Sequence, residues 1–317
     1  MDLFARVRRR HHREAARARA AGEASAMMAT TGSMVADQTD DLTDDLAPAE
    51  LPGPAIGQRV RRIGNDPGAA AFFDVDNTFL RGASIFWFAR GLAAHDFFTT
   101  RDLLGFAWKH LKFRTTSNED IDDIGSARDS ALAFVAGRRV EEIVEHGEEI
   151  YDELLAARIW AGTKAFAQLH LDAGQRVWLV TAAPVELAQL LARRLGLTGA
   201  LGTVAETRDG RYTGRLVGDI LHGPAKAEAV RALARSEHLD LDRCVAYSDS
   251  INDLPMLTTA GSAVAINPDA ALRRVARNRG WEVHDFRTGR RAARYGVPAA
   301  IGLGAVAAYA YRRKLSR

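Results

Sequence analysis

The chain has 317 residues, of which 47% are hydrophobic, and a net charge of +3 at pH 7. This composition is ordinary for a globular protein, and the length allows one large domain with a smaller one. The single cysteine, Cys244, excludes an intramolecular disulfide and fits a reducing compartment, so we expect a cytoplasmic location. Cys244 lies in a strand-like run, which predicts a buried, inert thiol.

Residues 1–68 are predicted to form a disordered tail. Residues 5–20 hold seven arginines among alanines, and residues 36–50 hold six acids. Low hydrophobicity and charge blocks of opposite sign favour disorder. The alternative for the arginine-rich piece is a short amphipathic helix on anionic lipid or nucleic acid. No specific nucleic-acid partner is predicted, and a signal peptide is not expected because no apolar core follows the arginines.

An apolar run ending abruptly in acid follows the tail. Residues 69–78 read AAAFFDVDNT, so a predicted buried strand ends at Asp74 and Asp76. Ligands bind at the carboxyl ends of the strands in open α/β sheets. The two acids lie close together at the end of this strand, so they can take different roles at one site. The alternative is an ordinary polar turn.

Residues 82–160 predict a helical insert. Apolar residues recur at three- and four-residue spacing in four stretches: 85–92, 103–111, 121–135 and 140–159. Such an insert, placed directly after the acid pair, would cap the site and exclude water. Five of its side chains are candidate substrate contacts, with a core or surface role as the alternative for each: Trp87, Phe88, Trp108, Lys112 and Arg114.

Two further apolar runs end in polar residues, and a lysine lies between them. Residues 175–181 end in Thr181, and residues 243–249 end in Asp249, with Asp253 four residues beyond. Lys226 opens a predicted helix, where a cation opposes the helix dipole and an anionic partner is expected. The hydroxyl, the lysine and these acids therefore predict a site at the strand ends.

The remaining pattern alternates strands with helices, which predicts a three-layer α/β core with a parallel sheet. The core comprises residues 69–81 and 161–290. Its other predicted elements are a helix over 188–195, strands over 200–206 and 212–217 around a turn at 209–210, and strands over 261–266 and 281–286. His222 and His284 have no second ligand at metal-binding spacing, so structural or exposed positions are expected.

The order of these motifs resembles the haloacid dehalogenase superfamily of phosphohydrolases, in particular its phosphoserine-phosphatase-like branch, subfamily IB. Residues 74–78 match its first motif, Thr181 the second, Lys226 the third and residues 249–253 the fourth. The resemblance covers roughly residues 69–286. It implies a Rossmann-like core with an inserted helical cap, and a phosphoric monoester hydrolase acting on a small phosphorylated substrate.

The resemblance also implies a role for each motif residue. Asp74 is the nucleophile that forms an aspartyl-phosphate, and Asp76 is the general acid and base. Asp74, the backbone carbonyl of Asp76, and Asp249 hold Mg²⁺. Phosphate is bound by Thr181, Lys226 and Asn252, and Asp253 orients the Lys226 ammonium or a metal-bound water. A divalent cation is needed because a phosphate dianion repels an attacking carboxylate.

Two departures from phosphoserine phosphatases bear on specificity. An acid that binds the substrate ammonium is replaced by Ala83 and Ser84, and two glycines after the second motif by Ala182 and Ala183. Phosphoserine is therefore an alternative substrate rather than the first choice. A non-catalytic, membrane-tethered protein that binds a phosphorylated ligand is the other alternative, and the complete set of motif residues counts against it.

Residues 291–317 form an apolar segment with basic flanks. Residues 295–311 are uncharged, and three basic residues follow. A membrane span needs about 20 apolar residues, with about 17 as the lower limit. The alternatives are a marginal membrane anchor, a packing helix and a disordered tail. Membrane association through residues 295–311 is thus one alternative to a purely cytoplasmic location.

Overall fold

The computed structural model describes residues 2–33, 66–95, 97 and 135–287. Its strands are β1 Ala70–Asp74, β2 Arg176–Pro184, β3 Gly199–Thr203, β4 Ala205–Arg208, β5 Arg211–Leu216, β6 Val245–Ser248, β7 Ser262–Ile266 and β8 Glu282–His284. Six of them form one parallel sheet in the order β3-β2-β1-β6-β7-β8, and β4 and β5 form an antiparallel hairpin. The predicted α/β fold class with a parallel sheet is confirmed.

Helices cover both faces of the sheet. They are α1 Asp2–Ser33, α2 Ser84–Ala94, α3 Val140–Ile150, α4 Ala161–Asp172, α5 Val185–Arg194, α6 Pro224–Ser236, α7 Leu254–Leu257 and α8 Ala270–Arg279. One hydrophobic cluster packs α4, α5 and the insert on one face, and a second packs α1, α6, α7 and α8 on the other. The two clusters give the three layers that the alternating pattern predicts.

β1 lies near the middle of the sheet because its side chains are apolar on both faces. All five of its residues are buried. Successive side chains point to opposite faces. Phe73 accordingly stacks on Tyr247, with ring centroids 4.1 Å apart, while Phe72 belongs to the other cluster with Trp178. A strand buried on both faces fixes the position of the acid at its end.

Cys244 directly precedes β6 and is fully buried. Burial raises the pKa of its thiol to about 11, so the thiol stays protonated near neutral pH. A protonated, enclosed thiol is a poor nucleophile. The structure thus has the buried, inert cysteine that the sequence predicts.

The described part of the insert is helical, as predicted. α2 and α3 pack closely, because a Cβ on Gly91 would lie 2.5 Å from a side-chain carbon of Ile150. The helix predicted over residues 140–159 ends as an α-helix at Ile150 and continues as a π-helical turn, Tyr151–Leu155, and a 3₁₀ turn, Ala156–Arg158. Residues 96 and 98–134, including the predicted helix over 103–111 and almost all of that over 121–135, lie outside the described residues.

The β4–β5 hairpin turns at the predicted residues. Asp209 and Gly210 both have positive φ, 51° and 72°. Two left-handed residues in succession form the turn that matches the twist of a two-stranded ribbon. Gly210 also accepts a backbone hydrogen bond from Val140 at 3.0 Å, so the hairpin contacts the start of α3.

The prediction of a disordered tail over residues 1–68 is wrong for residues 2–33, which form the helix α1. Ala21, Ser25, Ala26 and Ala29 are buried at helical spacing, and α1 packs on α6 and β3. Small side chains allow a close approach, but each adds little hydrophobicity to the sequence pattern. This row of small buried residues therefore gives no apolar pattern that stands out among the arginines. Residues 34–65 lie outside the described residues.

The predicted C-terminal segment, residues 291–317, also lies outside the described residues, so its alternatives stay predictions. Among the residues that the structure describes, no helix is both long enough and apolar enough to cross a membrane.

Candidate active site

A pocket of about 220 Å³ opens at the carboxyl ends of β1, β2 and β6. It is lined by Asp74, Asp76, Asn77, Thr181, Ala182, His222, Lys226, Asp249, Ser250 and Asp253. Six of the seven predicted site residues thus lie around one cavity. The seventh, Asn252, is exposed and is not in the lining. A larger groove of about 490 Å³ between α1 and α6 contains none of the motif residues.

Lys226 lies in the first turn of α6 and is almost fully buried. Its Nζ donates hydrogen bonds to Asp74 Oδ1 at 2.5 Å and to Asp253 Oδ2 at 2.8 Å. Burial lowers the pKa of Lys226, but the two carboxylates outweigh that effect and raise it above its ordinary value. They are the anionic partners expected for a cation at a helix N-terminus, and the lysine stays charged.

Asp253 is held from two sides. Its Oδ2 also accepts a hydrogen bond from Ser248 Oγ at 2.8 Å. Ser248 is the last residue of β6, and Asp253 ends a 3₁₀ turn that begins at Ile251. The contact between Asp253 and Lys226 that the sequence predicts is therefore present and is fixed to the sheet.

The pocket carries an excess of negative charge. Four carboxylates and one ammonium group are among its described lining residues. Burial raises the pKa of Asp74 above its ordinary value, opposed by Lys226 and reinforced by the other acids. Burial, together with Asp253, raises the pKa of Asp249 to about 7. A divalent cation between such groups would remove the repulsion, and an oxygen donor set suits the hard cation Mg²⁺. The residues present fit a magnesium site.

The turn after β1 aims Asp76 at the pocket. Asp76 Oδ1 accepts a hydrogen bond from the backbone N–H of Ser84 at 2.8 Å, and Ser84 is the first residue of α2. Asn77 is left-handed, with φ 61°, and its carbonyl accepts from Asn267 Nδ2 at 2.9 Å. The insert and the core therefore both hold the loop that carries the acid pair.

Thr181 lies where β2 bends away from β3. The register of the two strands shifts between Val180 and Pro184. Thr181 Oγ1 accepts a hydrogen bond from the backbone N–H of Ala183 at 3.1 Å. With that acceptor position filled, the hydroxyl proton can be donated to a ligand in the pocket.

Four lining residues were not among the predicted site residues: Asn77, Ala182, His222 and Ser250. His222 is exposed, as expected, but it lies in the pocket wall, four residues before Lys226. Ser250 lies within the fourth motif, which was the signal that could have identified it. His284 is not in this lining, since it packs on Phe166 with ring centroids 4.9 Å apart.

The candidate substrate contacts in the insert are only partly described. Phe88 is buried in the core cluster, and Trp87 packs against that cluster with the Arg158 guanidinium 3.2 Å from its ring centroid. Both have the core role named as the alternative. Trp108, Lys112 and Arg114 lie outside the described residues, so their predicted role stays untested.

A parallel α/β sheet with four carboxylates and a buried lysine at its strand ends, joined to the helical insert by the contact of Asp76 with Ser84, forms a candidate hydrolase site. The model of the haloacid dehalogenase-like hydrolase family matches residues 71–258 of this chain. The chain belongs to this family. The predictions of family, fold class and enzyme class are confirmed.

Individual relatives agree with that assignment. A Mycobacterium leprae protein named a putative hydrolase is 60% identical over 80% of this chain and 84% of its own length. A Mycobacterium tuberculosis protein named phosphoserine phosphatase SerB1 is 57% identical over 86% of this chain and 91% of its own length. A solved structure from Bordetella pertussis, of a protein described as having unknown function, is 29% identical. It has a TM-score of 0.60 and covers 68% of this chain and 98% of that one.

Proposed function

We propose that this protein is a Mg²⁺-dependent phosphatase that hydrolyses a small phosphate monoester through an aspartyl-phosphate on Asp74. The observation that carries the proposal is the contact of buried Lys226 with Asp74, in a pocket that also contains Thr181 and Asp249. A nucleophilic carboxylate, a fixed cation and a hydroxyl donor are the groups that phosphoryl transfer to a side chain requires.

Lys226 positions the nucleophile Asp74, and Asp253 in turn accepts a hydrogen bond from Lys226. Lys226 holds Asp74 Oδ1, which fixes the carboxylate with its second oxygen unengaged by the lysine. Asp74, the Asp76 carbonyl and Asp249 would hold Mg²⁺, which neutralises phosphate charge when bound. Lys226 and Thr181 donate to the phosphoryl oxygens, over which the charge of the transition state is spread.

Asp76 donates a proton in the first half-reaction and accepts one in the second. Asp74 attacks phosphorus, the bond to the leaving oxygen breaks, and Asp76 gives that oxygen a proton. Asp76 then removes a proton from water, which attacks phosphorus and releases Asp74 and inorganic phosphate. Its hydrogen bond with Ser84 N leaves the second carboxylate oxygen available for these transfers.

Phosphoserine is the second candidate substrate, because the Mycobacterium tuberculosis relative is named a phosphoserine phosphatase. Ala83 and Ser84, where an ammonium-binding acid is typical, count against it. The four described carboxylates of the pocket are all motif residues, so the described lining provides no further acid for an ammonium group. The first candidate therefore remains a small phosphate monoester of unspecified leaving group.

Turnover of an aryl phosphate tests the proposal directly. We expect activity with Mg²⁺, none with EDTA, and none in Asp74→Asn, whose amide can neither attack phosphorus nor offer charge to the metal. Asp209→Asn, in the exposed hairpin turn, is the matched control and should keep wild-type turnover.

Two outcomes contradict the proposal: steady-state turnover by purified Asp74→Asn above a mock-purified control, or EDTA-resistant turnover by the wild type. A panel that includes phosphoserine and non-amino phosphate esters then separates the two substrate candidates by kcat/KM.

A further inference from the structure

A second cluster of metal-ligating side chains lies in the helical insert. The ligand atoms of His95, His146 and Glu149 all lie within 4.8 Å of one another. His95 directly follows α2, whereas His146 and Glu149 lie one turn apart on α3 and share a face. None of the three is in the lining of the catalytic pocket, so the cluster joins two helices of the insert at a separate place.

The spacing of the cluster suits a small tetrahedral ion. His95 Nδ1 lies 3.3 Å from Glu149 Oε2, and His146 Nδ1 lies 3.8 Å from the same oxygen. With Zn–N and Zn–O bonds of about 2.0–2.1 Å, two ligands of a tetrahedral zinc ion are about 3.4 Å apart. The first pair already has that spacing, and the second needs a side-chain movement of about 0.4 Å. The two imidazole nitrogens lie within 4.8 Å of each other, so they must also approach when an ion binds.

A second carboxylate, that of Glu153, orients the imidazole of His95. His95 Nε2 lies 3.1 Å from Glu153 Oε2. A carboxylate only accepts, so Nε2 donates its N–H to Glu153, and Nδ1, beside Glu149, would offer its lone pair to a bound ion. A metal-bound histidine commonly donates its other N–H to a carboxylate, which orients the ring and raises its basicity.

The second imidazole is oriented by packing. The edge of the Phe97 ring meets His146, with centroids 5.5 Å apart and an angle of 82° between the rings. Both histidines remain partly exposed, with 23% and 33% of their side-chain surface accessible, so an ion can enter from solvent. The cluster thus has side chains whose orientation is restricted, and an ion can reach them from solvent.

We propose that His95, His146 and Glu149 bind a transition-metal ion, with Zn²⁺ as the best fit, and that Glu153 orients His95. Two imidazoles and one carboxylate suit Zn²⁺, whereas Mg²⁺ prefers oxygen ligands alone. The ion ties the end of α2 to α3 and leaves a fourth position to water. The competing explanation is that His95 contacts Glu149 and Glu153 without a metal ion, and the experiment distinguishes the two.

Calorimetric titration of untagged protein with Zn²⁺, in excess Mg²⁺, tests the site. We expect one equivalent to bind the wild type, with affinity reduced at least about 10-fold in His95→Ala and His146→Ala and about 10- to 100-fold in Glu153→Gln. Glu145→Gln, exposed on the same helix, is the matched control and should bind as the wild type does. Asp249→Asn, which alters the catalytic pocket, should keep this equivalent.

X-ray absorption at the zinc edge is measured on the wild-type complex, so this test does not depend on whether the variants fold. Scattering from two imidazoles supports the site, and a zinc shell without imidazole overturns it. Loss of zinc binding in Asp249→Asn with retention in both histidine variants would place the ion in the catalytic pocket and also reject the proposal. Absence of zinc binding overturns the proposal, whatever the phosphatase assay shows.

Discussion

His170 is a buried histidine held by two polar partners inside the apolar core. Its Nδ1 lies 2.6 Å from Gln175 Oε1 and its Nε2 lies 2.7 Å from the Tyr247 hydroxyl. Gln175 Oε1 accepts, so Nδ1 carries the proton and Nε2 accepts from Tyr247. Burial lowers the pKa of His170 to about 4, although the hydrogen bond with Gln175 opposes the shift. The fold is therefore built around a neutral imidazole.

The stability of the protein should depend on the protonation of His170. A folded pKa below the unfolded value near 6.5 contributes stability above pH 6.5 that is lost as the pH falls toward 4. We expect this residue to lower the free energy of unfolding by on the order of 3 kcal/mol across that window. Urea unfolding at several pH values measures the loss.

The variant His170→Gln isolates the effect, because its side chain does not titrate. It should be less stable than the wild type at pH 7, but its stability should fall less between pH 6.5 and 4. His238→Asn, at an exposed left-handed position where asparagine is tolerated, should retain the wild-type slope. Equal slopes in the wild type and His170→Gln would contradict the assignment.

At the scale of elements, the helix α2 of the insert is coupled to the catalytic loop by one backbone hydrogen bond. Ser84 is the first residue of α2, a position that accepts proline, and Ala83 is already extended with ψ 120°. Ser84→Pro should therefore preserve the helix while replacing the N–H that holds Asp76 with a ring carbon. We expect kcat for aryl phosphate to fall about 100-fold, because a misplaced catalytic group can cost that much.

Ser84→Ala is the matched control for this substitution. It keeps the N–H and removes a buried hydroxyl that has no hydrogen-bond partner among the described residues. Its kcat should remain close to that of the wild type. Wild-type turnover in Ser84→Pro, with circular dichroism showing an intact fold, would mean that the hydrogen bond does not position Asp76.

The helix α1 packs on α6 through small residues. A Cβ on Gly22 would lie 2.6 Å from the backbone nitrogen of Ala229, so a larger side chain cannot enter without separating the helices. We expect Gly22→Val to lower the free energy of unfolding by about 1–3 kcal/mol, the usual cost of overpacking. Ala20→Val, exposed on the same helix, introduces the same β-branched residue and should leave the denaturation midpoint almost unchanged. Equal midpoints would show that the contact adds nothing to stability.

At the scale of the whole molecule, the sequence predicts the parallel sheet and six residues that line the candidate pocket, because both depend on local patterns. Asp74, Thr181 and Asp249 each end an apolar run, and parallel strands bring such ends to one edge of a sheet. The features that were not predicted depend on contacts between elements that are far apart in the sequence. The alanine face of α1 is recognisable only from the matching alanine face of α6, and the distance from His95 to His146 depends on how α2 and α3 cross. Asn252 was assigned from its motif, but the 3₁₀ turn leaves it exposed beside the pocket.

The last prediction concerns residues 295–317, which follow every residue of the candidate site. Asp249 directly follows β6, and β7 separates β6 from the edge strand β8, the last strand before this segment. Deleting residues 295–317 should therefore leave kcat and KM for a soluble aryl phosphate unchanged.

If residues 295–311 are a membrane anchor, the full chain should sediment with membranes, and both the deletion and Leu303→Arg should release it. That point variant keeps the length of the segment and places a charge near its centre, which costs roughly 2.5–3.5 kcal/mol in a bilayer. A full-length chain found wholly in the supernatant rejects the anchor, and lost activity on deletion would mean that the segment supports the catalytic domain.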